Sequence, residues 1–108
     1  MGIVIISTYP DKKSVEKIAD AVVTKKLAAC VNYTEVNSVY SWKGKMERTA
    51  EFLAFFKTTA KARDLLKKEI AKTHPYEVPE IAELKMVSVN ASYQKWLDDS
   101  TRKGKPKK

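Results

Sequence analysis

The chain has 108 residues, of which 44% are hydrophobic and 31% are charged, and its formal net charge is +8. This length is typical of one domain, and the apolar content is too high for an intrinsically disordered chain. Residues 100–108 (STRKGKPKK) contain five basic residues and no acid, which leaves +3 on residues 1–99 when those five are subtracted from +8. We therefore expect one domain at 1–99 and a basic, disordered tail at 100–108.

Four secondary-structure elements are predicted in the N-terminal half. The first is a β-branched run, IVIISTY, which has strand length and ends at Pro10. Apolar side chains then recur at helical spacing after Asp11, a residue type that caps helix N-termini. Lys43 and Gly44 form a tight turn between two long apolar stretches, which predicts a hairpin. The predicted bounds are a strand at 3–9, a helix at 12–26, a strand at 28–42 with a bulge near 32–37, and a strand at 46–58.

The C-terminal half predicts a helix, a strand and another helix. His74 and Pro75 end the first of these helices, because proline disfavours helical geometry at the residue before it. The element order βαββαβα predicts an α+β fold, a split βαβ sandwich with a long hairpin between the second and third strands and an extra C-terminal helix. The predicted bounds are a helix at 60–73, a strand at 80–89 and a helix at 91–100.

This layout, with the helices together on one face, leaves the other face of the sheet uncovered. The strands of the hairpin carry apolar and aromatic residues on both sides, and a large contiguous apolar area usually marks an interface. We therefore expect copies of the same chain to cover this face.

Several motifs occur together in one order along the chain. They are TYPD at 8–11, LAACVN at 27–32, SVYSWKGK at 38–45, Glu51 followed by Lys57 and Thr58, HPYEVPEI at 74–81, and Tyr93 with Trp96 and Leu97. In these motifs, from about residue 3 to residue 98, the chain resembles the CutA (CutA1) divalent-cation tolerance family. The resemblance implies a ferredoxin-like fold assembled as a homotrimer that is related in architecture to the PII signalling proteins. It also implies a function in tolerance of divalent cations, copper in particular.

His74 and Cys30 are the candidate metal ligands, since imidazole and thiolate bind copper and zinc. Tight sites use three or four such ligands, and this chain has one histidine and one cysteine. We therefore expect weak binding of copper or another divalent cation and no required cofactor. The alternatives stay open: Cys30 as a small buried hydrophobe, and HPY as a turn in which the Tyr76 phenol bonds to neighbouring backbone.

A polar pocket is the second candidate site, and in a trimer it could form between chains. The candidates to line it, together with His74, are Lys57, Tyr40, Trp42 and Tyr76. Trp42 and Tyr40 are also expected to anchor a contact between subunits. The alternative function is a PII-like trimeric module that binds a small anion in intersubunit clefts through Lys43, Lys57 or backbone amides.

An enzymatic function is not predicted, because the sequence has no metalloprotease motif, no glycine-rich phosphate loop and no recognisable nucleophile with a base. The acids Glu47, Glu51, Glu77, Glu80 and Glu83 are expected to be solvated or salt-bridged. An RNA-recognition module shares the strand order, but TAEFLAFFK lacks the glycine of that motif and has Glu51 where a base would stack.

The expected partner is therefore the chain itself, without nucleic acid and without a membrane. A single cysteine cannot form an intramolecular disulfide, and the N-terminal apolar run is too short for a signal peptide or a membrane span. These features favour a cytoplasmic location.

Overall fold

A computed structural model describes residues 1–102. Its elements follow the predicted order, and the α+β assignment is confirmed. Four predicted elements have wrong bounds. The first helix stops two residues before residue 26, the second strand starts at 30 instead of 28, the second helix starts at 63 instead of 60, and the fourth strand has four residues instead of ten. The elements are β1 (Gly2–Tyr9), α1 (Lys12–Thr24), β2 (Cys30–Trp42), β3 (Lys45–Thr59), α2 (Arg63–Thr73), β4 (Ala82–Lys85) and α3 (Ala91–Ser100).

The strands form one sheet with the order β2-β3-β1-β4. Each neighbouring pair is antiparallel, because each helical crossover carries the chain past one strand position. Helices α1 and α2 pack on one face of this sheet. The side chains of the core between them are fully or almost fully buried, and they include Ile3, Ile5, Val15, Ile18, Val22, Phe56, Leu66 and Ile70.

The β2-β3 hairpin is uninterrupted. Its register runs residue by residue from Cys30 opposite Lys57 to Trp42 opposite Lys45, so the predicted bulge near 32–37 is wrong. The turn residues Lys43 and Gly44 have φ values of 51° and 80°, the left-handed geometry that matches the twist of a two-residue hairpin. An unbroken ladder needs no extra residue on either strand.

The outer part of the hairpin projects beyond the rest of the sheet. Strand β1 pairs with β3 only from Phe52 onward, so residues 36–42 and 45–51 have only each other as strand partners. Both faces of this projection carry exposed apolar side chains. Val39 and Met46 are 56% and 70% exposed, and Tyr40 and Trp42, on the other face, are 42% and 39% exposed.

Helix α3 packs on the sheet face opposite α1 and α2, so the prediction that all helices share one face is wrong. Successive strand residues point to opposite faces, and Lys57 therefore points away from the buried Phe56. The Lys57 Nζ lies 5.9 Å from the centroid of the Tyr93 ring on α3. Thr59 and Thr101 hydroxyls, 3.2 Å apart, fix the end of α3 to the same face.

The predicted domain boundary at residue 99 falls inside α3. Ser100 is the last residue of this helix, and Thr101 is buried. The Arg102 backbone N–H donates to the Lys26 carbonyl at 2.8 Å. Residues 100–102 of the predicted tail therefore lie against the domain, and the remainder, 103–108, lies outside the described residues.

Helix α3 covers only one end of its face, and among residues 1–102 no other helix lies on that face, although Tyr76 reaches it at Glu51. We call the part that α3 leaves uncovered the open face. Its side chains follow from the strand register: Ile6, Leu53, Phe55, Val36, Tyr40 and Trp42 are apolar or aromatic, and Thr8, Asn32, Thr34, Ser38, Glu47, Thr49 and Glu51 lie among them. The open face is thus smaller than predicted, but it is continuous with the projecting hairpin.

Candidate functional site

His74 ends α2 and begins the segment that closes one side of the site. Its φ and ψ of −71° and 134° are extended, as expected for a residue followed by proline. The chain therefore leaves the helix at His74 and passes beside the end of β1. The imidazole stacks on the Tyr9 ring, with a centroid separation of 4.3 Å and an interplanar angle of 22°.

Hydrogen bonds occupy both ring nitrogens of His74. The Tyr76 backbone N–H donates to Nδ1 at 3.1 Å, so Nδ1 is unprotonated and the ring proton lies on Nε2. Nε2 lies 3.0 Å from Oγ of the buried Ser7, to which it donates. Burial lowers the pKa of His74, with a smaller opposing effect from the Thr8 backbone. His74 is therefore a neutral ring with a fixed tautomer that anchors the HPY segment to β1.

This environment predicts a pH dependence of stability that originates at His74. Since its pKa is lowered in the folded state, the unfolded chain binds a proton first as pH falls below about 6.5. Stability is complete above that pH and should decrease between pH 6.5 and 5.5, by at most about 1.4 kcal/mol per pH unit for one proton. Denaturant titrations at pH 7.5 and 5.5 measure this loss.

The matched variant is His74→Gln, because the chain has no other histidine. We expect its free energy of unfolding to be lower at pH 7.5 and nearly the same at the two pH values. An equal loss between the two pH values in both proteins would show that His74 is not the group that titrates.

The second polar pair of the site joins β3 to the HPY segment. The Tyr76 hydroxyl donates to Glu51 Oε1 at 2.6 Å, and Glu51 is only 7% exposed. Burial raises the pKa of Tyr76 above its usual value, and the Glu51 carboxylate raises it further, as do Tyr40 and Asp11 nearby. The prediction that Glu51 is solvated or salt-bridged is wrong, and of the two alternatives for the HPY segment the bond from the Tyr76 phenol to backbone is not found.

A signal for the position of Glu51 was present in the sequence. Glu51 alternates with Leu53 and Phe55 along β3, so the three side chains share the open face. An acid in line with apolar strand positions is expected to be buried and paired. Glu83, in contrast, is salt-bridged as predicted, to Arg63 at 2.9 Å and to Lys67 at 2.5 Å.

A cavity of about 560 Å³ lies between the HPY segment and the projecting hairpin, and its lining runs from Glu51 to Trp42 beside the turn. Three aromatic side chains and three acids contribute to its lining, and no lysine or arginine does. These are Tyr40, Trp42 and Tyr76, and Glu51, Glu77 and Glu80. A volume of this size accommodates a small organic molecule.

The structure brings together three of the five predicted pocket residues, and His74 is not among them because it packs against Tyr9 and Ser7. Tyr40, Trp42 and Tyr76 line the cavity, whereas Lys57 lies under α3 against Tyr93. Sequence reasoning missed Glu51 and Thr8 as lining residues. Lys57 lies too far from the cavity to line it, because it follows Glu51 by six residues along an extended strand, a distance of about 20 Å.

The two predicted metal ligands are not adjacent. Cys30 is opposite Lys57 in the register, and its thiol donates to Asn32 Oδ1 at 3.8 Å. His74 bonds to Ser7, which is three residues, or about 10 Å, along β1 from the position that pairs with Lys57. Among residues 1–102 no group of three or more His, Cys, Asp or Glu side chains is arranged to hold a metal ion.

The fold and the site together define an α+β domain of the split βαβ class, with a projecting hairpin and a cavity of small-molecule size. The model of the CutA1 divalent ion tolerance protein family matches residues 3–100, so the chain belongs to this family. It is 38% identical over 101 residues to the divalent-cation tolerance protein CutA of Pyrococcus horikoshii, covering 94% of this chain and 99% of that protein.

Solved structures of relatives have the same fold. The crystal structure of CutA1 from Pyrococcus horikoshii matches with a TM-score of 0.90 at 37% identity, covering 94% of this chain and 99% of that one. CutA1 from Oryza sativa matches with a TM-score of 0.91 at 38% identity and 95% coverage of each chain. The curated rice protein is longer, and this chain spans 58% of it.

Relatives differ in their location. The rice protein is named chloroplastic, and the structure of a relative from Archaeoglobus fulgidus, 31% identical with a TM-score of 0.89, is described as periplasmic. Within the described part of this chain, no helix is long and apolar enough to span a bilayer. A cytoplasmic location for this protein stays a prediction.

Proposed function

We propose that the protein is a homotrimeric member of the family that contributes to divalent-cation tolerance, including tolerance of copper, by binding and not by catalysis. The observation that carries the assembly is the open face together with the projecting hairpin. Tyr40 and Trp42, 42% and 39% exposed, lie on the same sheet face as Leu53 and Phe55. A surface of this kind on a soluble domain is usually an interface.

A trimer with the architecture of the PII proteins would explain why the β2-β3 hairpin is so long. Strands β2 and β3 are too long for β1 to support them along their whole length, and an isolated two-stranded hairpin is marginally stable in water. Contact with neighbouring copies would supply the missing support. Each copy would in turn offer its own open face, so that three copies close a ring.

The hydrogen bond between Ser7 and His74 supports the proposal that the protein is not catalytic. Ser7 is fully buried, and His74 directs its ring proton at the Ser7 oxygen. An imidazole in that state cannot accept the serine proton, and no substrate can reach a fully buried hydroxyl. The pair therefore fits a structural function.

Metal binding is proposed to be weak and to involve the thiol of Cys30, which is partly exposed. Thiolate ligands favour copper, but a single ligand gives little affinity compared with three or four. His74 would have to give up one of its two hydrogen bonds to bind a metal. We propose a cytoplasmic location because the reducing cytoplasm keeps a lone thiol free.

Thermal unfolding with copper tests the metal proposal. A ligand present at 100 times its dissociation constant stabilises a protein by about 2.7 kcal/mol. We expect an increase in melting temperature only at high copper concentration, and no increase for Cys30→Ser. If Cys30→Ser responds to copper as the unmodified protein does, the ligand is a different residue.

Thermal unfolding also distinguishes metal binding from the PII-like alternative, in which a small anion binds between subunits. The cavity lining gives this alternative no support, because it contains three acids and neither lysine nor arginine. Stabilisation by a nucleotide, in the absence of any response to copper, would favour the anion-binding alternative over metal binding.

A further inference from the structure

We propose that a groove between the end of α1 and α2 binds a linear chain of phosphates, the group that inorganic polyphosphate and nucleoside triphosphates share. We call it the basic groove. Its lining contains one acid, Glu69, and four cationic side chains, which are Lys25, Lys68, Lys72 and Arg102. This inference goes beyond the proposed function, because the ligand is different and the two helices pack on the sheet face opposite the open face. The proposed assembly therefore leaves the groove accessible.

The last described residue, Arg102, forms one wall of the groove. Its backbone N–H donates to the Lys26 carbonyl at 2.8 Å, and its Nε donates to the Lys25 carbonyl at 2.9 Å. These two bonds hold the guanidinium group at the C-terminal end of α1. Within residues 1–102 its terminal Nη groups have no hydrogen-bond or salt-bridge partner. A fixed guanidinium with free N–H groups is suited to a phosphate, which it can bind through two parallel hydrogen bonds.

Helix α2 supplies the other wall and most of its charge. Lys68 and Lys72 are one turn apart, so their side chains emerge on the same side of the helix. Both are exposed, and neither has a hydrogen bond or salt bridge to another described residue. The one acid of the lining, Glu69, is already paired with Lys25 at 2.9 Å. Four cations and one acid leave the groove with an excess of three positive charges.

The charge of Glu69 shows that the lysines act on the groove. Its pKa is lowered, first by the hydrogen bond from Lys25 and further by the charges of Lys25 and Lys72, against a smaller opposing effect of burial. Glu69 is therefore ionised and its charge is used by Lys25. Lys68, Lys72 and Arg102 are left for an external anion, and a cleft lined by one sign of charge concentrates ions of the opposite sign.

The shape and chemistry of the groove select a phosphate chain. A chain of phosphates carries several charges in a row, so it can meet both walls at once, whereas a single carboxylate meets one. The volume of about 280 Å³ is small for a drug-sized ligand and suits a narrow chain. Among the described residues, neither an aromatic ring nor an amide side chain lines the groove, so nothing there can stack on a base or pair with it. The phosphates alone are recognised.

The sequence adds further cations directly after the groove. Residues 103–108 (KGKPKK) contain four lysines and no acid, and they follow Arg102 in the chain. Their structure lies outside the described residues, so the argument for the site does not need them. Their charge next to Arg102 in the sequence strengthens the attraction for a chain longer than the groove.

The test compares phosphate probes of different length with the full-length protein. In buffer without metal ions and at about 50 mM salt, tripolyphosphate should bind at least about tenfold more tightly than monophosphate, measured by calorimetry, and added salt should weaken the binding. ATP and adenosine distinguish the two sources of a phosphate chain. Similar binding of ATP and tripolyphosphate supports recognition of the phosphates alone. Equal binding of monophosphate and tripolyphosphate, no binding of tripolyphosphate, or adenosine that binds as tightly as ATP would overturn the proposal.

A matched pair of double variants assigns the binding to the groove. Lys68→Gln with Lys72→Gln should weaken tripolyphosphate binding at least about tenfold, because two contacts to phosphate are lost. Lys13→Gln with Lys17→Gln removes the same charge from exposed positions at the same spacing on α1, and the loss should stay below about twofold. Equal losses in the two double variants would show attraction by net charge without a site.

Two more variants separate the groove from other positions for the anion. Glutamine in place of all four lysines of 103–108 should weaken binding less than the Lys68 and Lys72 double variant does. If it removes binding while that double variant keeps it, the anion is held outside the groove and the proposal is wrong. Lys57→Gln should bind tripolyphosphate unchanged, and a loss there would place the anion in the PII-like cleft between subunits instead. None of these comparisons uses copper or the mass of the assembly, so their failure is distinct from failure of the proposed function.

Discussion

Replacing Trp42 by alanine is expected to convert the assembled protein to single chains at micromolar concentration. Trp42 lies at the end of β2, is 39% exposed and faces the same side as the open face. Large aromatic side chains at the centre of an interface typically contribute 2 kcal/mol or more, which corresponds to a loss of affinity of about 30-fold at each contact. Light scattering over a dilution series measures this change.

The control for Trp42 is the other tryptophan. Trp96 lies on α3, is 43% exposed and packs against Tyr93. Trp96→Ala removes a side chain of the same size and similar exposure from outside the hairpin, and the mass should stay that of the assembly. If both variants dissociate equally, or if Trp42→Ala stays assembled, the hairpin is not the interface.

Removing the Tyr76 hydroxyl is expected to lower the free energy of unfolding by about 2 kcal/mol. The phenol donates a short hydrogen bond to a buried carboxylate, and hydrogen bonds to charged groups contribute about 1.5–3 kcal/mol. Tyr76→Phe leaves Glu51 without its partner, whereas Glu51→Gln keeps a weaker, neutral acceptor and should cost less. In the double variant the losses should not add, because both single changes affect the same bond.

Denaturant titration at one fixed protein concentration provides these values, since the stability of an assembly depends on concentration. Tyr93→Phe is the matched control, because the Tyr93 hydroxyl has no hydrogen-bond partner among residues 1–102, and its loss should stay below about 0.5 kcal/mol. Additive losses in the double variant would mean that the Tyr76–Glu51 bond does not contribute to stability.

The order of the elements could be predicted because each carries a local signal. The β-branched run of β1, the helical spacing of α1 and the Lys43-Gly44 turn act over a few residues, and the sequence reports them directly. The bulge was wrong because the alternation in β2 is irregular, with polar residues at 32, 34 and 35. Those positions tolerate water at the sheet edge, so the irregularity reflects exposure and not a break in the ladder.

The position of α3 could not be predicted from its own residues. Its amphipathic pattern shows that it buries one side, but both sheet faces offer apolar partners. The face is decided by Thr59, Thr101 and Leu97, which meet only after the strands have paired. Placing α3 on the same face as α1 and α2 led to the prediction that the other face is wholly uncovered. In the structure α3 covers part of that face.

The site was predicted only in part, because some of its residues carry a local signal and others depend on long-range contacts. Tyr40, Trp42 and Tyr76 were found because aromatic residues near a turn and beside prolines are conspicuous in the sequence. Glu51 was missed because its alternation with Leu53 and Phe55 does not identify the group that pairs with it, which is a phenol 25 residues away. Long-range pairs of this kind follow from the topology, which local patterns do not specify.

The mass of the unmodified full-length protein in dilute solution tests the central claim most directly. If the open face and the hairpin are covered by two further copies, light scattering at low micromolar concentration should report a particle three times the 12.2 kDa of one chain. A stable particle of 12.2 kDa under those conditions would contradict the account.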